Sequence, residues 1–163
     1  YASFIDHPMD DDGVIVTRSF SKIYGLAGLR AGYAIAAAPA ARLLASNALP
    51  EGLNSVAAKA AIAALDDGEH VGSSAAQNVN DRQEFFNQFY ARMSQTIDSQ
   101  TNFVMANTGR RASQVIEHFR QNNIRLPGPI PAFDQHIRVA IGTPAEMREF
   151  WRVWDLLPPI MSH

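Results

Sequence analysis

One short segment concentrates residue types that can do chemistry: Ser19-Phe20-Ser21-Lys22-Ile23-Tyr24-Gly25-Leu26-Ala27-Gly28-Leu29-Arg30-Ala31-Gly32-Tyr33. The β-branched, uncharged run Val14-Ile15-Val16-Thr17 precedes it and reads as a short buried strand. A lysine at the end of such a strand is costly unless its amine is neutral or used. Desolvation and a nearby cation lower an amine's pKa and make it a nucleophile, and Arg30 is such a cation. Two hydroxyls, Ser19 and Ser21, lie beside Lys22, and Gly25, Gly28 and Gly32 allow close backbone approach. Hydroxyls, glycine and arginine together make a phosphate cradle, because a guanidinium can grip phosphate with two parallel hydrogen bonds. A reactive amine beside a phosphate site is what pyridoxal phosphate requires, held covalently at one end and by its phosphate at the other. On residue types alone a second reading stays open, two surface charges on a plain glycine loop.

The whole string resembles the lysine signature of the fold-type I pyridoxal-phosphate aminotransferases of classes I and II. Ser19, Ser21, Lys22, Tyr24, Gly25, Leu26, Ala27, Gly28, Leu29, Arg30, Gly32 and Tyr33 fill every constrained position. The resemblance implies that Lys22 forms the Schiff base with pyridoxal 5'-phosphate and that Ser19, Ser21 and Arg30 sit at its phosphate. The family carries an Asp-x-Ala-Tyr motif shortly before the lysine strand. Tyr1 occupies the tyrosine position, at the ring hydroxyl, with the aspartate expected just upstream; a terminal tyrosine without a role is the other reading.

A second match lies late in the chain. Ile137-Arg138-Val139-Ala140-Ile141-Gly142-Thr143 resembles the strand whose arginine grips the substrate's anionic group. Arg138 alternates with Ile137 and Val139 and so projects to the opposite face of the strand. Arg125, thirteen positions earlier, is similar to a second arginine of the histidinol-phosphate aminotransferase branch that helps hold a substrate phosphate; as an exposed charge it would need no such role. The Pro127-Gly128-Pro129-Ile130-Pro131 loop between them follows no family pattern.

The elements that must position these residues are readable from local signals. Tyr33-Ala34-Ile35-Ala36 reads as a second strand, and Pro39 opens a helix to about Ser46. An alanine-rich helix runs from Asn54 to Leu65 and stops at Asp66-Asp67-Gly68. A longer helix spans about Val71 to Ser94, with Phe85, Phe86, Phe89 and Met93 forming a packing stripe. Asn102 to Met105 reads as a strand, Ala112 to Asn122 as an amphipathic helix, Ile124 to Leu126 as a short strand or edge, and Ile137 to Ile141 as a strand. Thr143-Pro144-Ala145-Glu146 is a capping box with proline in the first turn. The expected fold is α/β: residues 1–70 the end of a cofactor-binding large domain, with a mixed sheet and helices; 71–94 a connecting helix; 95–163 a small C-terminal α/β domain.

The remaining candidates are plain. The histidines His7, His70, His118, His136 and His163 show no metal-ligand spacing, although His136 shares a strand face with Arg138. Asp134 reads as a partner for a nearby arginine, Trp151 and Trp154 as packing residues, and Arg82 as a surface or interdomain charge. The run Asp10-Asp11-Asp12 reads as a solvated turn.

Composition bounds the rest. The chain has 163 residues, 47% hydrophobic and 18% charged, with a formal net charge of −2. That gives no basic footprint for nucleic acid, and no window approaches a membrane span. With no cysteine there is no disulfide framework, no thiolate metal site and no thiol nucleophile. The start, Tyr1-Ala2-Ser3-Phe4, has no initiating methionine and predicts the later part of a longer protein. The resemblance implies a cytoplasmic homodimer acting in amino-acid biosynthesis on a small-molecule amino donor and an oxo-acid acceptor. A histidinol-phosphate-like amino phosphate comes first and a general or aromatic amino acid next. Two alternatives remain at this point, a decarboxylase of a phosphorylated amino acid on the same scaffold and an inactive fragment serving only association.

Overall fold

The computed structural model describes residues 4, 5 and 13–158. Tyr1, His7, the acidic run Asp10-Asp11-Asp12 and His163 lie outside the described residues. The chain divides into two compact units, residues 1–75 and 76–163, and no helix among the described residues is long and apolar enough to cross a membrane.

In the first unit β1 (Ile15–Ser19) pairs antiparallel with β2 (Gly32–Ala36), in a register running from Ile15 opposite Ala36 to Ser19 opposite Gly32. The branched side chains Ile15, Val16 and Thr17 favour the extended backbone. Burial does not follow: Val16 is half-buried and the rest of β1 is exposed. The expectation of a buried strand is corrected here, because a two-stranded ribbon covers neither of its faces by itself. α1 (Ala38–Ser46) starts with Pro39 in its first turn. α2 (Ser55–Asp66) is capped by Asn54, whose side chain accepts the Ala57 N–H at 2.8 Å. Ala57 and Ala61 on one face of α2 bury against Phe20 and Ala31, with Tyr24, Leu26 and Leu29 packed around them. Small side chains on the helix let the loop that follows β1 lie close against it.

α3 (Gly68–Ala91) starts three residues before the expected Val71 and ends three before Ser94. The Arg92, Met93 and Ser94 N–H groups turn back onto Phe89 and Tyr90 carbonyls, with Met93 left-handed at φ 56°. Met93 therefore leaves the stripe formed by Phe85 and Phe89 and points to solvent, 95% exposed.

The second unit holds a three-stranded antiparallel sheet in the order β3-β4-β5, from β3 (Gln95–Ile97), β4 (Phe103–Asn107) and β5 (His136–Ala140). Val104 and Ala106 of β4 and Ile137 and Val139 of β5 are fully buried, the alternation expected of a sheet with one packed face. They share a core with α4 (Ala112–Gln121) and α5 (Pro144–Trp154), through Val115, Phe119, Phe150 and Val153, and with Phe85 and Phe89 of α3. Phe119 stacks on Phe150 at 4.8 Å, and Phe89 meets Trp154 at 4.9 Å. The His118 ring Nε2 donates to the Val153 carbonyl at 2.9 Å and clips α4 to α5. The Thr143–Glu146 capping box is fully formed.

Three features of this unit differ from what the sequence predicts. Ile124 to Leu126 is not a strand: Ile124 N–H donates to Phe119 O at 2.9 Å and Asn123 N–H to Arg120 O at 3.1 Å, with Asn123 at φ 63°. These bonds close α4 in a Schellman motif, and Ile124 packs on the core as its apolar residue. β3 was not expected. Arg82 is not a surface charge; it is 5% exposed, and its Nη1 donates to the Thr101 carbonyl at 2.9 Å.

Candidate functional site

Residues 20–31 form a loop whose two ends are tied together. The β1–β2 ladder closes at Ser19 opposite Gly32, and Phe20 N–H extends it by donating to Ala31 O at 3.2 Å. Inside the loop, Leu26 N–H donates to Phe20 O at 2.9 Å, Gly25 N–H to Lys22 O at 2.8 Å and Leu29 N–H to Leu26 O at 3.0 Å. Gly25 takes φ 68°, which closes that turn where a Cβ would be strained. The loop's apolar side chains, Phe20, Tyr24, Leu26, Leu29 and Ala31, turn inward to α2. Phe20 lies 5.0 Å from the Tyr24 ring and 5.7 Å from the Tyr33 ring. Its polar side chains are thereby left on the outside.

The structure thus places Ser21, Lys22 and Arg30 on one loop, with Ser19 at the end of the strand that enters it. Ser19 Oγ accepts the Ser21 N–H at 3.0 Å, which leaves the Ser19 hydroxyl proton to donate elsewhere. Lys22 is exposed in the turn after β1 rather than desolvated at the end of a buried strand, because β1 itself is exposed. Arg30 donates one Nη1 N–H to the Ala27 carbonyl at 2.8 Å and makes no ion pair among the described residues. Its backbone is left-handed, φ 56° and ψ 46°, a conformation that costs a residue with a Cβ roughly 1–2 kcal/mol. A glycine would relieve that cost but would remove the guanidinium.

The electrostatics of the segment favour an anion. From Gly13 to Pro50 the chain carries no aspartate or glutamate, while Arg18, Lys22, Arg30 and Arg42 are cationic. Two residues that spacing and composition did not reveal hold the loop from outside it. Asn54 Nδ2 donates to the Leu29 carbonyl at 3.3 Å, and His70 Nε2 lies 3.2 Å from the Ile23 carbonyl. Asn54 is legible in the sequence only as the start of a helix, and His70 carries no local signal at all.

The two arginines assigned to substrate lie in the second unit. Arg138 is half-buried on β5, opposite Met105, with its guanidinium carbon 4.0 Å above the Phe103 ring. Arg125 is exposed just beyond the Schellman turn. Neither makes an ion pair among the described residues. His136 shares the Arg138 face and sets its ring edge-on to Phe133 at 5.5 Å. Asp134 uses its backbone, its carbonyl accepting the Ala112 N–H at 2.7 Å. A groove of about 570 Å³ between α3 and α5, floored by Phe85, Met147 and Trp151 with Asp81 and Arg148 at its rim, contains none of the predicted residues. The tied loop is the better candidate, because it carries an amine, hydroxyls and a guanidinium without a carboxylate partner.

Comparison with known proteins agrees with the sequence pattern. The sequence model of the family described as aminotransferase class I and II matches residues 2–153. The chain is 37% identical to a histidinol-phosphate aminotransferase of Akkermansia muciniphila over 90% of its own length and 42% of that protein's. It is 36% identical to the corresponding enzyme of Moorella thermoacetica, over 85% of the chain and 36% of that protein. Among solved structures, histidinol-phosphate aminotransferase of Sinorhizobium meliloti in complex with pyridoxal-5'-phosphate superposes with a TM-score of 0.81 at 28% identity, over 94% of this chain and 44% of that one. An L-threonine-O-3-phosphate decarboxylase of Porphyromonas gingivalis, 19% identical with a TM-score of 0.74 over 88% of this chain and 46% of that one, shares the fold. The chain spans less than half the length of each of these proteins.

Proposed function

This chain belongs to the class I and II aminotransferase family, and from that premise we propose that the protein carrying it transfers an amino group to an oxo acid. The amino donor is an amino acid or amino phosphate of the histidinol-phosphate kind, and pyridoxal 5'-phosphate is the cofactor. The observation that carries this reading is the end of β1 and the loop 20–31 that follows it, which gather Ser19, Ser21, Lys22 and Arg30 in a segment free of carboxylates.

The donor set fits the cofactor. Ser19 retains a hydroxyl proton to give, Arg30 retains guanidinium N–H groups beyond the one on Ala27, and both suit a phosphate dianion. Ser21 completes the set, Lys22 Nζ holds the aldehyde end, and Tyr1 is assigned to the ring hydroxyl. When bound, pyridoxal phosphate supplies the electron sink that chemistry at the substrate's α-carbon requires. Once the substrate's amine has taken its place at the aldehyde end, the freed Lys22 Nζ would take up the α-proton and give it back, acting in turn as base and acid. Arg138 and Arg125 orient the substrate's anionic group, a role that fits two cations with no carboxylate partner among the described residues. Residues 1–70, 71–94 and 95–163 act as the end of the cofactor domain, a connector and the small domain. The family resemblance supports a cytoplasmic homodimer as the working state.

Borohydride reduction of the full protein with pyridoxal phosphate, followed by peptide mapping, tests this directly, because this chain has only two lysines, Lys22 and Lys59. The label is expected on the Lys22 peptide, absent from Lys22→Ala and reduced in Arg30→Ala. Equal labelling of Lys59, or none, overturns the assignment. Product analysis with histidinol phosphate and an oxo acid is expected to show amino transfer. Release of carbon dioxide from a phosphorylated amino acid instead would make the protein a decarboxylase.

A further inference from the structure

Two side chains from outside loop 20–31 grip it at the carbonyls next to its two cations. We propose that these, Asn54 and His70, are positioning residues that fix the span between Lys22 and Arg30, a role that rests on the cofactor reading above. Asn54 serves two partners at once. Its Oδ1 accepts the Ala57 N–H at 2.8 Å and caps α2, while its Nδ2 donates to the Leu29 carbonyl at 3.3 Å. That carbonyl belongs to the peptide that enters Arg30, the residue held left-handed at φ 56°. Fixing the peptide fixes the direction in which the guanidinium leaves the backbone.

His70 does the same at the other cation. The first turn of α3 is set by Asp67, whose Oδ1 accepts the His70 N–H at 3.0 Å. The ring Nε2 then reaches the Ile23 carbonyl at 3.2 Å, with Ser74 Oγ 3.5 Å from the same nitrogen. A carbonyl only accepts, so Nε2 carries the hydrogen in this bond. Ile23 follows Lys22 directly, and the Lys22 carbonyl is itself held by Gly25 N–H at 2.8 Å. The bonds at the base of the loop, Phe20 to Ala31 and Leu26 to Phe20, do not involve either clamp. Loss of a clamp therefore loosens the rim that carries the cations and leaves the base closed.

Each clamp has a variant that separates positioning from folding. Asn54→Ser keeps a good helix cap but cannot reach Leu29. His70→Gln keeps a terminal amide N–H in place of Nε2–H, and His70→Ala keeps nothing. The readouts are the Kd for pyridoxal phosphate by absorbance titration in the full protein, the yield of borohydride-trapped Lys22 peptide, and the melting midpoint without cofactor. Asn54→Ser and His70→Ala are expected to weaken cofactor binding roughly three- to tenfold, the worth of one hydrogen bond, with the midpoint unchanged. His70→Gln is expected to restore binding to within about twofold. The inference is overturned if both variants bind as the unaltered protein does, if His70→Gln is as weak as His70→Ala, or if the melting midpoint falls in step with affinity. Failure of the unaltered protein to trap cofactor at Lys22 overturns the cofactor reading itself, and this inference with it.

Discussion

A single methyl group added at Gly32 separates close backbone approach from conformational freedom. A Cβ built there would stand 2.8 Å from the Arg18 carbonyl oxygen and 3.7 Å from Ser19 Cα. Ordinary carbon–oxygen contact is roughly 3.3–3.6 Å, so the ribbon must open by roughly half an ångström at the Ser19–Gly32 pair. The obstacle is backbone rather than a flexible side chain, and the cost compares with overpacking a core, about 1–3 kcal/mol. That corresponds to roughly a 5- to 150-fold loss in local stability. Gly28 is the control, because nothing lies within 4 Å of its Cβ position and its φ is not positive. Gly28→Ala is expected to be neutral or to stabilise by about 0.4–1 kcal/mol through the unfolded chain. Gly25 has equally open space but φ 68°, so Gly25→Ala is expected to cost about 1–2 kcal/mol. Hydrogen exchange of the amides between residues 15 and 36, read by mass spectrometry, measures all three. The loss in Gly32→Ala should be accompanied by weaker pyridoxal phosphate binding, since Ser19 faces Gly32. Wild-type exchange in Gly32→Ala, or a Gly28→Ala variant as damaged as it, would refute the reasoning.

Two further outcomes concern the second unit. Phe119 is fully buried and stacked on Phe150 at 4.8 Å, so Phe119→Ala is expected to cost about 3–5 kcal/mol in urea unfolding, and a loss below about 1 kcal/mol would contradict the packing described. Acid should also weaken this unit. The Arg120 guanidinium hydrogen-bonded to Glu117 holds that carboxyl down at about 2. Arg152 lowers Glu149, Thr143 lowers Glu146 through hydroxyl and backbone, and Arg92 lowers Asp155. A depressed carboxylate contributes stability above its unfolded pKa and loses it as pH falls through the folded value. The urea midpoint is therefore expected to drop between roughly pH 4.3 and about 2. The drop should be small, because surface pairs are screened by solvent. A midpoint that is flat or higher at pH 3 than at pH 7 would refute the sign.

Local signals were readable where the physics is local. Pro39 in a first turn and the Thr143–Glu146 box each satisfy or spare backbone donors within a few residues, and the structure shows them so. The lysine segment was legible as a string of types, and the loop that ties its ends follows from the Ser19–Gly32 pairing. What escaped depended on partners distant in sequence. β3 is three residues long with only Thr96 half-buried, and its pairing with β4 alone makes it a strand. Ile124 and Leu126 alternate as a strand would, but the carbonyl of Phe119 captures Ile124 first. Arg82 reads as surface charge because nothing local announces the Thr101 carbonyl that takes it in. The clamps are of the same kind, with Asn54 reaching back 25 positions and His70 reaching back 47.

The aromatic cluster of the second unit has an optical consequence. Both tryptophans of this chain, Trp151 and Trp154, belong to it, and the first unit has none. The Arg92 guanidinium carbon lies 4.6 Å above the Trp151 ring, so loss of that contact enters the same signal. Indole emission is thus a reporter of one unit, and unfolding of the unit that bears Lys22 is dark to it. Among the described tyrosines, Tyr24 and Tyr33 belong to that unit and lie 5.0 and 5.7 Å from the Phe20 ring, while Tyr90 belongs to the other. A single sigmoid in indole emission reports the surroundings of Trp151 and Trp154, both within residues 76–163. Coincidence of the indole transition with one read on Tyr24 and Tyr33, in a Tyr90→Phe background, is what would make the chain one cooperative system.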